Sequence, residues 1–331
     1  MNTENTPTPI PPTAPHTPLR ILVVGTGAIG GYYGAQLAKA GAQVTTVHRS
    51  DFAAVRDQGI HIDGLRGSYH FRPAQVLRRV ADYDGFPDYI LVCLKVLGNI
   101  DTAEIIRPAV GPATTIVLLQ NGVEIEEEVA KKFPHNELLS GLAFVCLSRT
   151  TPGHISHTCY GHLTIGRYPS GPSQAAERLA ETFEAAGTDC PVTETIAWER
   201  WKKLVWNAAF NPISVLGQAT TREILSHPAT AQLVRRTMTE VCCIATAAGY
   251  PLTDAIVQKN LDATQRIKPY KTSMLLDYLS GRSMEVEAIL GNAIQVAKRY
   301  QVAVPCLETV YALLSLFTQQ LATRRQDDSL Q

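Results

Sequence analysis

Leu19-Arg20-Ile21-Leu22-Val23-Val24-Gly25-Thr26-Gly27-Ala28-Ile29-Gly30 is the stretch whose reading decides the fold. A short continuous apolar run that ends at glycine predicts a strand buried on both faces, as strands of a parallel sheet are. The glycines fit G-x-G-x-x-G, and Tyr33, Leu37 and Ala40 then recur at helical spacing up to Gly41, a suitable helix stop. In such a strand-turn-helix the first glycine permits the tight turn, the second lets backbone approach a pyrophosphate, and the third lets helix and strand pack closely. Amides at the helix start would face the phosphates, where the helix dipole favours negative charge. Gly25, Thr26, Gly27, Ala28, Ile29 and Gly30 are thus the expected dinucleotide cradle.

Moving outward, Gln43 to His48 alternates and is β-branched, which predicts a second strand. Tyr89 to Leu94 and Thr115 to Leu119 repeat the buried-strand pattern, with helical spacing from Ile100 to Val110 between them. Residues His154 to Ile165 read as a pair of strands and Ser173 to Ala186 as a helix. From about Thr195 long helical patterns dominate and β-branched runs become scarce. The expected architecture is an α/β N-terminal Rossmann-type domain, a doubly wound parallel sheet over residues 19–194, followed by an all-α domain over 195–322. The Pro- and Thr-rich residues 1–18 read as a disordered tail with no signal-peptide pattern, and the polar residues 323–331 as a frayed end.

The bulk properties agree with two ordinary globular domains: 331 residues, 45% hydrophobic and 18% charged. Thirty basic residues balance thirty acidic ones, so no global field favours nucleic acid or an anionic membrane. No apolar run approaches the ~18 residues that span a bilayer. The seven cysteines are odd in number and scattered, which reads as reduced thiols in a cytoplasmic protein rather than a disulfide framework.

Where an NAD enzyme normally places an acid against the ribose hydroxyls, the end of the second strand carries His48-Arg49-Ser50. A guanidinium pairs with a 2′-phosphate that a carboxylate would repel, so Arg49 points to NADP(H). The most unusual stretch is Trp198 to Pro212. Lys203, Asn207 and Asn211 stand four apart on one helical stripe among Trp, Leu, Val, Ala and Phe. Amides in such company need hydrogen-bonding partners, which a polar ligand or neighbouring loops would supply. Lys202 points about 100° away from that stripe. Pro212 places Asn211 at an expected kink or helix end.

Together these residues resemble the ketopantoate reductase family (2-dehydropantoate 2-reductase), from Ile21 to about Leu314. The pieces are the glycine turn, Arg49, Lys95 after Leu91-Val92-Cys93-Leu94, Gln120-Asn121-Gly122, Trp201 to Pro212, and Ser273-Met274-Leu275 followed by Glu285. The resemblance implies NADPH-dependent reduction of a 2-keto acid, with Lys203 as proton donor and Asn207, Asn211 and Ser273 binding substrate. It implies that Asn121 touches both cofactor and substrate, that Lys95 lies near the nicotinamide ribose and phosphate, and that Glu285 bonds the cofactor's ribose. Ten positions after Asn211, where better-known members have another substrate-binding asparagine, this chain has Thr221, a shorter hydrogen-bonding group.

Each residue also admits a plain structural explanation: Lys95 a surface lysine, Gln120-Asn121-Gly122 an ordinary turn, Ser273 a helix cap, Glu285 a solvated face. His154, His157 and His162 lack the spacing of a metal site and fit alternation in strands. Leu290 to Leu316 carries apolar helical faces expected to serve core packing or a homodimer contact. Two other functions stay open: an NADP-dependent reductase of another small 2-keto or 3-hydroxy acid, and a non-catalytic NADPH sensor.

Overall fold

In the computed structural model, which describes residues 17–65 and 67–330, the opening apolar run is strand β1 (Arg20–Val24), and helix α1 (Ala28–Lys39) follows the glycine turn. Next come β2 (Gln43–Val47), α2 (Phe52–Gln58), β3 (Ile60–Gly64), β4 (Gly67–Phe71), β5 (Gln75–Leu77), β6 (Tyr89–Val92), α3 (Thr102–Ile106) and β7 (Thr115–Leu118). Helix α4 (Glu127–Lys132), the long strands β8 (Leu138–Thr151) and β9 (His154–Arg167), and α5 (Gln174–Ala185) complete the α/β part. The described strands form one sheet of order β4-β3-β9-β8-β7-β6-β1-β2-β5. From β8 through β5 every pairing is parallel.

Alternation along β1 explains why the strands are apolar throughout. Ile21 and Val23 enter a core shared with Tyr33 and Leu37 of α1 and Phe183 of α5. Leu22 and Val24 enter the opposite core, with Ile106 of α3 and Val129 of α4. Helices therefore cover both faces, and each fully buried aliphatic side chain contributes about 1.5–3 kcal/mol. β1 lies between β6 and β2, where the strand order reverses and a crevice opens at the carboxyl ends.

The helical part comprises α6 (Ile196–Gly217), α7 (Thr221–Ser226), α8 (Pro228–Ala247), α9 (Asp254–Arg266), α10 (Ser273–Leu279), a π turn over Glu287–Gly291, α11 (Asn292–Arg299) and α12 (Pro305–Leu330). Its core centres on α6, whose Leu204, Val205, Ala208 and Phe210 pack with Met238, Val241 and Ile244 of α8 and Leu307 and Leu314 of α12. Among the described residues no helix is long and apolar enough to cross a membrane.

Several expectations are corrected. Residues 154–165 are not two strands but part of one, and Tyr160 and Gly161 (φ 57° and 139°) sit at a bulge within it. The turn lies at Pro152-Gly153, between β8 and β9. The helix expected over 100–110 shortens to α3 and a 3-10 turn at Arg107–Ala109, since Pro108 has no N–H to continue the ladder. Asn211 is not at a helix end: α6 continues through Pro212 to Gly217. Burial of Ala208, Ala209, Phe210, Ile213 and Val215 on both sides of the proline sustains the helix against a cost of about 3 kcal/mol. Helix α12 runs beyond the expected end near 322 to Leu330, with no glycine or proline to stop it. Cys146 and Cys159 are not free thiols. They stand opposite each other on β8 and β9, 4.9 Å apart at Cα, and form a disulfide. Of the expected N-terminal tail, residues 1–16 lie outside the described residues.

Candidate active site

The turn after β1 is shaped by backbone proximity. Gly25 has φ +89°, and a β-carbon there would sit 2.6 Å from the Leu94 amide nitrogen at the end of β6. A β-carbon at Gly30 would lie 2.8 Å from the Gly25 carbonyl oxygen, so helix and turn can pack this closely only with glycine. At Gly27, by contrast, a β-carbon would meet nothing within 4 Å. Gly27 is also the N-cap of α1 and brings no side-chain cap to the helix-start amides around Ala28 and Ile29. An open approach beside uncapped amides suits an anionic phosphate. The Thr26 hydroxyl donates to the Val47 carbonyl at 3.0 Å and ties the turn to the end of β2.

Beyond β2, Arg49 is exposed. An acid does follow, at Asp51, but it is 6% exposed and engaged: His48 Nδ1 lies 3.2 Å from one oxygen and Arg149 Nη1 3.1 Å from the other. Burial pushes the Asp51 carboxyl up, but the His48 hydrogen bond and the charges of His48 and Arg149 outweigh it and hold the group below its ordinary range.

The end of β6 reaches the helical domain. Lys95 Nζ contacts Asp277 Oδ2 of α10 at 2.6 Å and donates to the Ser283 carbonyl at 2.6 Å. Next to it, the Val96 amide donates to Glu285 Oε1 at 3.0 Å. Burial raises the Glu285 carboxyl above its ordinary value, against the Val96 amide, the Lys95 charge and a hydrogen bond with Asn121. Lys95 is therefore not a free surface lysine, and Glu285 is not a solvated face.

The end of β7 meets α6. Lys203 Nζ donates to Asn121 Oδ1 at 3.1 Å and to the Ala143 carbonyl of β8 at 2.7 Å, and it sits 5.1 Å from the Phe144 ring centroid. Burial, reinforced by the positive charge of Arg200 and opposed by Glu285, brings the Lys203 ammonium down to about 7. A cleft at this point is lined by Asn121, Gly122, Leu142, Arg200, Lys203, Leu204 and Asn207. Asn121 thus joins Lys203 to Glu285, and so to the end of β6.

The remaining candidates lie further out. Asn211, one turn beyond Asn207, is 2% exposed, and its side-chain oxygen has no partner among the described residues. A buried unpaired amide oxygen costs about 1–3 kcal/mol unless something donates to it. Ser273 is exposed at the start of α10, and the cap is made by Thr272, whose Oγ1 accepts from the Leu275 amide at 3.2 Å. The Ser273 hydroxyl is therefore not consumed as the helix cap. Thr221 is 1% exposed at the start of α7, its amide donating to the Tyr270 carbonyl at 3.2 Å. The cleft therefore brings Asn121, Lys203 and Asn207 together, with Glu285 hydrogen-bonded to Asn121 and Lys95 acting on Glu285 through its charge, and does not include Asn211, Thr221 or Ser273. Of the histidines, His154 stacks on His61, His157 bonds the Tyr160 carbonyl and His162 stacks on Phe144.

Sequence reasoning missed Arg200, Glu126, Ser140 and the Ala143 carbonyl. One signal was present: an arginine three positions before Lys203 in an otherwise largely apolar helix.

Comparison with known proteins gives a consistent picture. Residues 21–170 match the family model described as ketopantoate reductase PanE/ApbA, and residues 195–318 match its C-terminal counterpart. A 2-dehydropantoate 2-reductase of Nostoc sp. is 35% identical over 294 residues, covering 87% of this chain and 92% of that protein. The crystal structure of a 2-dehydropantoate 2-reductase from Methylococcus capsulatus is similar with TM-score 0.86 and 49% identity, over 92% of this chain and 98% of that one. That of the Geobacter metallireducens enzyme also has TM-score 0.86, at 34% identity, over 91% and 100%.

Proposed function

Since the chain belongs to the ketopantoate reductase family, whose members are oxidoreductases, we propose that it reduces 2-dehydropantoate to pantoate with NADPH and that Lys203 protonates the product oxygen. The observation that carries this reading is the Lys203 ammonium, held near pKa 7 between Asn121 and Ala143 where the helical domain meets the ends of the parallel strands.

The chain's own groups fit a dinucleotide: the open approach at Gly27, the uncapped start of α1, Lys95 after β6 and Glu285 beside Asn121. When bound, a reduced nicotinamide supplies the hydride. As hydride adds to the keto carbon, the carbonyl π pair moves onto oxygen. Lys203 hydrogen-bonds that oxygen, stabilises the growing charge and transfers a proton to it, leaving a neutral amine that solvent reprotonates. Asn207, one turn along α6, holds the substrate's polar groups; Asn211 and Ser273, which the family resemblance offers as further substrate ligands, lie outside the cleft. Asn121 keeps the ammonium directed into the cleft. A donor with a pKa near the working pH gives up its proton more readily than an ordinary lysine.

The proton-donor role sets a pH dependence. Below about 7 Lys203 carries the proton it must donate, and above that value the amine is neutral. The kcat/KM for keto-acid reduction should therefore fall about tenfold per pH unit on the alkaline side. A profile flat well above neutrality would remove Lys203 from the role.

Arg49, exposed beyond β2, supports NADPH over NADH, as does Asp51, whose carboxylate is occupied by His48 and Arg149. Arg49→Glu is expected to raise KM for NADPH by about 10- to 100-fold and leave that for NADH within about threefold. Equal loss for both cofactors would contradict the assignment. The direct test is a steady-state assay with 2-dehydropantoate and each nicotinamide. The buried Thr221 favours a second reading, reduction of another small 2-keto or 3-hydroxy acid, which a substrate panel followed by NADPH absorbance separates. The proposal includes a small-molecule substrate, cytoplasmic location, and pairing of two copies through the helical domain, supported by exposed Leu313 and Leu316 on α12.

A further inference from the structure

Arg200 lies deep between the two domains at 4% exposure, with Glu126 at 1% and Ser140 fully buried. Its Nη1 donates to the Gln120 carbonyl at 2.8 Å and the Gly122 carbonyl at 2.9 Å, the carbonyls of the residues before and after Asn121. Its Nε meets Glu126 Oε1 at 2.5 Å, and Nε and Nη2 reach Ser140 Oγ at 3.1 and 2.5 Å. Ser140 in turn donates to Glu126 at 2.7 Å. A buried ion pair gives little net stability, because removing both charges from water offsets their attraction. Well-packed apolar residues often replace a buried ion pair without loss of stability. What an apolar pair could not do is grip both carbonyls around Asn121 and place a fixed positive charge one helical turn from Lys203.

We propose that Arg200 is a positioning residue for the reduction, clamping the Gln120-Asn121-Gly122 turn onto the lysine helix and holding its charge beside the donor. The inference rests on the function proposed above and adds a residue to that site. The clamp fixes the carbonyls of the residues before and after Asn121, so that Oδ1 meets Lys203 Nζ and the side chain also bonds Glu285. The charge works through Lys203. That ammonium faces Arg200 on its own helix, Glu285 ahead of the π turn, and the neutral Asn121 oxygen, Ala143 carbonyl and Phe144 ring from the nucleotide domain. Glu285 favours the protonated form, while Arg200 and burial oppose it, making the amine the stronger acid. Glu126 pairs with Arg200 and keeps that charge tolerable in the interior.

Two variants separate the clamp from the charge. Arg200→Lys keeps a cation but cannot hold both carbonyls together with Ser140 and Glu126, which the planar guanidinium reaches from three nitrogens. Arg200→Met with Glu126→Gln removes both charges without stranding a buried carboxylate. Each would be characterised by thermal unfolding, by the split of kcat from KM for 2-dehydropantoate, and by kcat/KM from about pH 5 to about pH 9. Arg200→Lys should lose about tenfold in kcat/KM with its alkaline limb where the wild type has it. The double variant should lose a similar factor and carry the limb upward by about one pH unit. A folded Arg200→Lys with wild-type kcat/KM, or a folded double variant whose limb does not move, overturns the inference and leaves the proposed function standing. If the double variant does not fold, Arg200→Lys alone decides by the same criterion. A wild-type protein inactive on every 2-keto acid defeats the function itself, and the inference with it.

Discussion

Lys203→Ala is expected to lower kcat by about 100- to 10,000-fold, the range over which a positioned general acid acts. NADPH affinity should stay within a few fold of wild type, because the glycine turn, Lys95 and Glu285 are untouched. The loss belongs in kcat more than KM, since the ammonium's interaction with the substrate oxygen strengthens as charge develops there. The fold should survive. The side chain is an ammonium held against its own desolvation, and truncating it removes that penalty together with two hydrogen bonds. Turnover within about threefold of wild type would assign proton donation elsewhere.

Gly25→Val is the second large effect, and it acts on fold and cofactor together. A β-branched residue at φ +89° costs about 1–3 kcal/mol in backbone strain. Its β-carbon would also press on the backbone at Cys93 and Leu94, a close-packed contact worth about 1–3 kcal/mol more. The sum, about 2–6 kcal/mol, is a large share of a typical domain's stability. Because the displaced segment leads directly into Lys95, NADPH affinity should fall by at least about tenfold at temperatures where the variant stays folded. Denaturant unfolding and an NADPH titration would check both parts. An unchanged midpoint would mean that turn and strand end are not in contact.

The fold was legible where one residue class had one physical reason to be there. The apolar run at 19–24, ending at the glycine turn, reads as a strand covered on both faces, and helices do cover both faces. Local patterns failed where tertiary context decided the outcome. Residues 154–165 read as two strands, yet a long partner strand carries them as one with a bulge at Tyr160 and Gly161. Pro212 suggested a kink or a helix end, and the core around α6 carries the helix past it. Cys146 and Cys159 gave no spacing cue, because only the β8/β9 register sets them opposite each other.

The site divides in the same way. The Lys203 and Asn207 stripe follows from helical spacing, and both residues line the cleft. Contacts between domains depend on how α6 docks on the strand ends, which no sequence period encodes. Thus the Ala143 carbonyl that holds Lys203, the Asp277 carboxylate that holds Lys95 and the Glu126 partner of Arg200 became visible only in three dimensions. Placing Lys95, Asn121, Ser273 and Glu285 among the candidates required the family resemblance, since each alone has an ordinary structural explanation.

The most direct test is a crystal structure of the chain with NADP+ and pantoate, in which the distance from Lys203 Nζ to the C2 hydroxyl oxygen is measured. The account predicts hydrogen-bond contact, about 2.7–3.2 Å, with the pyrophosphate on the amides that open α1. An amine more than about 5 Å from that oxygen, with another acid in its place, would contradict it.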